Sequence, residues 1–207
     1  MRHHLPLLVA SIGATALLVV LIDGPTRTFR LSMATAYLAL ALLAATLAIG
    51  PLRVIRRRPV PLSLDLRRDL GIWAGIAGIA HAIVGLFVHL GNPLLYFFRP
   101  GSFVPRVDAF GLSNDVGLAA ALIFAVLLAT SNDASLRSLG AQRWKSTHRW
   151  VYAAAALMVV HGIVYQVREH RTMLFVLVFA AAVLGVLALQ SRAFGMRRQH
   201  ADAHARR

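Results

Sequence analysis

The chain has 207 residues, 58% of them apolar and only 14% charged, with a mean hydropathy of +0.66 and a formal net charge of +14. It contains no cysteine, which excludes disulfides, cysteine-ligated zinc and iron–sulfur clusters. Its 21 arginines and single lysine (Lys145) sit in clumps between apolar runs, the pattern of a membrane protein rather than of a nucleic-acid binder.

About 20 helical residues cross a hydrocarbon core of roughly 30 Å. Six runs meet or approach that length: 5–22, 31–49, 70–90, 116–130, 150–167 and 173–190. The first follows Arg2 and resembles a leader, but no small-residue cleavage site precedes the polar stretch at 23–30, so it is expected to stay as a span. The fourth is short and is expected to reach back to Gly111 or on to Ser131. The expected architecture is an all-α bundle of six transmembrane helices, one integral membrane domain over 1–207. Its core lies at 30–190, followed by a basic tail at 191–207 that lacks apolar periodicity and is expected to fray.

Charge fixes the orientation. Segments 1–4, 50–69, 131–149 and 191–207 carry 16 Arg and Lys; the alternate set carries 6. The positive-inside rule places the richer set, and with it both termini, in the cytoplasm. The longest external connection, 91–115, is rich in proline and aromatics and is expected to lie on the membrane interface. G-x-G-x-x-G, a P-loop and H-E-x-x-H are all missing from the chain.

Nine histidines are present. His3, His4, His200 and His204 fall in the terminal tails, where solvated side chains are expected, and His170 falls in a short external turn. His81, His89, His148 and His161 belong to the third and fifth spans, where an ionisable side chain is costly and usually functional. His81 lies 13 and 14 residues beyond Arg68 and Arg67, and His161 lies 13 beyond His148 at the cytoplasmic border. The two spans run in the same direction, so His81 and His161 fall at one depth. Facing imidazoles across a bundle hold a b-type haem. The bland reading is interhelical hydrogen bonding. His89 is a weaker candidate ligand near the outer interface.

Gly71, Gly75, Gly78 and Gly85 recur at helical steps with Arg67 and His81. Such a face, with Gly78 and Gly85 nearest the histidine, lets a flat ligand approach the backbone, although the same residues also permit close helix packing. His148 marks a second, inner position, about 19–20 Å from His161 along a helix axis. Arg67 is expected to face it more closely than Arg68, because 14 residues return to within about 40° of the face of His81. Arginine is a poor metal ligand and pairs more readily with a propionate or a lipid phosphate.

The stretch Arg67-Arg68-Asp-Leu-Gly-Ile-Trp73 followed by His81, and the stretch from Leu139 through Trp144, His148 and Tyr152 to His161, resemble the ferric-reductase-like transmembrane domain. More narrowly they resemble the haem-binding membrane-subunit family of periplasmic methionine sulfoxide reductase. The resemblance implies a haem b protein with one or two haems, His81, His161 and His148 as iron ligands, and FMN as an associated cofactor. It also implies a cytoplasmic flavin reductase or quinol as donor and a periplasmic molybdopterin-type reductase as acceptor. Two-haem members place four histidines on the third and fifth spans; this chain has Arg67 and Arg68 at the inner position of the third. The competing readings are a free-standing reductase of ferric iron or oxygen, and a haemless membrane scaffold or transporter subunit.

Overall fold

The computed structural model describes residues 3–56 and 63–205. Seven helices follow one another: α1 (His4–Leu21), α2 (Arg27–Arg56), α3 (Leu64–Gly85), α4 (Ala109–Ala129), α5 (Asp133–His148), α6 (Val151–Arg168) and α7 (Met173–Ala205). Among the described residues the only β pairing is an isolated bridge between Phe98 and Pro105. α1, α2, α4, α7 and the α5–α6 stretch are long and apolar enough to cross a membrane. α3 falls outside that set, because its first turns carry Arg67, Arg68 and Asp69. Arg2, Arg57, Arg58, Arg206 and Arg207, which contribute to the charge count, lie outside the described residues.

Small residues let the helices approach. The central cluster joins Leu43 and Leu47 of α2, Ala74 of α3, Phe124 of α4 and Ala154 of α6. Two of its five members are alanines, as expected where packing rather than water exclusion holds helices together. α2 touches α3 and α7 extensively, and α4 lies along α6. Pro51 sits inside α2 and cannot donate to the carbonyl of Leu47. Gln190 of α7 supplies the missing donor, its Nε2 3.0 Å from that oxygen.

Several boundaries depart from the sequence-based expectation. The third span was expected to continue to residue 90, but α3 ends at Gly85. The buried Tyr96 hydroxyl donates to the Gly85 carbonyl at 3.0 Å and accepts the His89 backbone N–H at 2.9 Å, turning the chain there. His89 therefore lies beyond the helix. The fourth span reaches back past Gly111 to Ala109, where Asp108 caps it by accepting the Gly111 N–H at 2.8 Å. The Arg106 guanidinium, 2.7 Å from Asp108, holds that carboxyl below its ordinary value. His148 was expected on the fifth span with His161, but it ends a separate helix, α5, and α6 begins at Val151. α5 is capped by Asn132 and interrupted at Gly140, whose φ of 73° suits glycine. The tail does not fray within the described residues, since α7 continues to Ala205. Its alanine, arginine and glutamine content favours a helix without needing an apolar stripe.

His3 and His4 are not free solvated residues. They lie 3.1 and 3.4 Å from the two carboxylate oxygens of Asp69, which is buried. The pair ties the start of α1 to α3.

Candidate functional site

α2, α3, α4 and α6 enclose a cavity of about 420 Å³, lined mostly by apolar side chains and by His81 and His161. That volume lies in the range of cofactor pockets, roughly 300–1,000 Å³. The imidazole centres are 6.3 Å apart, with ring planes at 70°. Each ring is held by the same device on a different neighbouring helix. His81 Nδ1 lies 2.9 Å from the Ser32 carbonyl of α2, and His161 Nδ1 lies 2.8 Å from the Ser113 carbonyl of α4. A carbonyl only accepts, so Nδ1 carries the proton on both rings. Nε2 is left as a lone-pair donor on both. The serine hydroxyls add contacts to the same Nδ1 atoms at 3.2 and 3.3 Å.

This is the outer-shell bonding that fixes tautomer and orientation in metal-ligating histidines. The spacing also suits a metal. A nitrogen–metal bond of about 2 Å, with about 1 Å more to the ring centre, places two imidazoles on opposite sides of one ion roughly 6 Å apart. Among the described residues no group of three or more His, Asp and Glu side chains has metal-binding geometry. The candidate donor set is therefore the pair, with the remaining positions around an ion left to a planar ligand.

The glycine face divides. Gly78 and Gly85 line the cavity, Gly85 with its Cβ position 4.0 Å from the His81 ring. Gly71 faces Thr46 of α2 and Gly75 faces Leu128 of α4, so these two serve helix packing. Another glycine at the site was missed. A Cβ on Gly117 of α4 would lie 2.7 Å from His161 Nδ1, so only glycine lets that ring reach the Ser113 carbonyl. Its spacing of four from Ser113 was the available signal.

The end of the cavity nearest Tyr165 is aromatic and polar. Tyr165 packs 4.8 Å from His161 and donates to Asn114 Oδ1 at 2.9 Å. His89 also lines the cavity, 6.4 Å from Tyr165 and with Nε2 3.9 Å from Glu169. Gln166 donates to Tyr37, whose hydroxyl donates to the Phe175 carbonyl, which ties α6, α2 and α7 together. Arg171 completes the rim, its guanidinium 4.8 Å from the centre of the Phe29 ring.

The expected inner position does not assemble in the same way. His148 ends α5, where its Nε2 lies 3.3 Å from the Thr130 hydroxyl and its ring stacks on Trp144 at 3.9 Å. Arg67 lies elsewhere, beside Gly50 of α2 in a separate cavity. Arg68, not Arg67, reaches the α4–α5 corner, 2.9 Å from Asp133 and 3.0 Å from the Ser131 carbonyl. Arg67 and His81 both meet α2, at Gly50 and Ser32, whereas His148 sits at the α4–α5 corner beside Thr130.

A bundle of apolar helices around two facing, backbone-oriented histidines defines a multi-pass membrane protein of the ferric-reductase type. The family model described as "Ferric reductase like transmembrane component" matches residues 32–159, and the chain belongs to that family. Its relatives include proteins named "Protein-methionine-sulfoxide reductase heme-binding subunit MsrQ". The one from Ralstonia nicotianae is 32% identical over 151 residues, 73% of this chain and 65% of the relative. The one from Bordetella pertussis is 33% identical over 122 residues, 59% of this chain and 54% of the relative. The one from Yersinia pseudotuberculosis is 32% identical over 133 residues, 61% and 58% respectively. The chain thus spans between about half and two thirds of the length of these relatives. No solved structure matches.

Proposed function

We propose that the chain is a haem b subunit that carries electrons across the bacterial inner membrane, from a cytoplasmic flavin reductase or quinol to a periplasmic reductase of the molybdopterin type. The observation that carries the reading is the His81–His161 pair, with each Nδ1 committed to a backbone carbonyl and each Nε2 left as a lone-pair donor. The relatives named as heme-binding subunits of a methionine sulfoxide reductase support it.

His81 and His161 would hold the iron from α3 and α6. Gly78 and Gly85 would give the ring plane access to the α3 backbone, and Gly117 holds His161 in place. Arg171 at the rim would take a carboxylate of the ligand, because among the described residues it has no acidic partner within ion-pair distance. Bound there, haem b supplies reversible one-electron transfer. The chain's part is to fix the ligand tautomers, exclude water from the buried half and set the distance to each surface. One haem per chain is the count we propose, because among the described residues His81 and His161 are the histidine pair that faces the 420 Å³ cavity from two helices. His148 would serve a second only if the α4–α5 corner opened.

The experiment is electron delivery in proteoliposomes that enclose ferricyanide, with a flavin reductase and NADH outside. Wild-type protein is expected to reduce the enclosed acceptor, and His81→Ala protein to fall to the leak rate of empty vesicles. Equal rates would remove the assignment.

The orientation belongs to the same reading. We infer six spans, α3 included, with both termini in the cytoplasm, from the 16-to-6 distribution of Arg and Lys. Reporter fusions at Lys145 are expected to report cytoplasm, and fusions at Arg106 and His170 periplasm. A reversal at any of the three would break the parallel relation of α3 and α6.

A further inference from the structure

We propose that a second cavity, between the end of α2, the start of α3, the start of α6 and the middle of α7, binds the phosphate of an anionic membrane phospholipid. The cavity is about 200 Å³, and its polar side chains are Arg67, Arg197, Tyr152 and Gln190. Its place in the inner leaflet rests on the orientation proposed above.

Two guanidiniums from different helices converge on it. Arg67 is half-buried, and among the described residues neither it nor Arg197 has an acidic partner within ion-pair distance. The five ion pairs of the described residues engage Asp69, Asp133, Glu169 and Asp108; Asp69, two residues from Arg67 on α3, is taken by His3 and His4. A partly buried guanidinium beside an exposed one, with no carboxylate in reach of either, makes the cavity positive and suited to an anion that the protein does not itself provide. Its planar fork favours phosphate, which it binds through two parallel N–H bonds. Gly50 opens the wall: even a Cβ there would lie 3.7 Å from the Arg67 guanidinium. Gln190 has already spent an amide N–H on the carbonyl that Pro51 leaves unbonded, which fixes one side of the cavity in place.

The surroundings select an amphiphile over a soluble phosphate. The cavity lies between α6 and α7, which make few contacts with one another. Phe194, in the cavity wall, is 68% exposed, and Leu187, one turn from Gln190 on α7, is 56% exposed. A charged cleft continuous with apolar surface matches a headgroup phosphate with its acyl chain, and basic pockets between helices on the cytoplasmic side are where anionic headgroups bind.

The test uses the full chain, delipidated in detergent and titrated with phosphatidylglycerol by native mass spectrometry, with size-exclusion elution to certify folding. One tightly held lipid per chain is expected, weakened about tenfold in Arg67→Gln, the loss expected for one hydrogen-bonded charge contact. Arg197→Gln, an exposed position, is expected to weaken it several-fold and keeps the test available should Arg67→Gln fail to fold. Phosphatidylcholine is expected to bind without distinguishing the variants from wild type. Equal phosphatidylglycerol binding by wild type and both folded variants would overturn the site. Displacement of the lipid by equimolar inorganic phosphate or FMN would overturn the lipid assignment in favour of a soluble phosphate ligand.

Discussion

Replacing either His81 or His161 with alanine is expected to remove most of the low-spin haem b absorbance from purified protein, while His148→Ala leaves it in place. The asymmetry follows from what each ring touches. His81 and His161 face one another across the large cavity, and each has one nitrogen tied to a backbone carbonyl. The other nitrogen is then fixed in protonation and direction. Removing either ring takes away one of the two imidazoles that would hold the iron, and no other histidine stands in its place beside the Ser32 or Ser113 carbonyl. His148 is spent differently, bonded to Thr130 and stacked on Trp144. The reduced-minus-oxidised spectrum, scaled to protein, reads the outcome. Full signal in both His81→Ala and His161→Ala would refute the pairing, and loss in His148→Ala would locate a ligand at the α4–α5 corner.

Gly117→Ala is expected to lower haem content by well over half without dissolving the bundle. The added Cβ would come within 2.7 and 2.8 Å of two His161 ring atoms, nearer than real Cβ contacts occur. The ring cannot simply swing away, because Nδ1 would leave the Ser113 carbonyl and the ligand geometry would go with it. Overpacking of this kind costs about 1–3 kcal/mol. Since helix propensity favours alanine over glycine by about 1 kcal/mol, the net loss of fold stability is small. The damage is confined to the ligand. Gly75→Ala is the matched control: its Cβ would meet Leu128 at 3.7 Å, an ordinary contact. Retained haem in Gly75→Ala beside depleted haem in Gly117→Ala is the expected result. Wild-type haem in both would mean that His161 is not clamped by α4.

The histidine pair was legible in the sequence because helical rise is regular. Counting inward from the arginine border placed His81 and His161 at one depth, and their rings are neighbours. The partners that orient them were not legible. Ser32 and Ser113 act through backbone carbonyls, which every residue possesses, so nothing in their side chains marks them. Arg67 shows the limit of face arithmetic: periodicity states that two residues share a helix face but not which neighbour that face meets. α5 was missed because its 16 residues are polar and broken at Gly140, which reads as a loop when apolar periodicity is the signal. The end of α3 is set by the hydroxyl of Tyr96, 11 residues further along, a tertiary contact without a local signature.

The claim that one iron sits between His81 and His161 is tested most directly by electron paramagnetic resonance of the oxidised, purified protein. Iron held by both imidazoles, whose planes stand 70° apart, would give a strongly anisotropic low-spin ferric signal. That signal, lost in His161→Ala, is the predicted result. A high-spin ferric signal from wild-type protein, the mark of a five-coordinate iron with one histidine, would contradict the account.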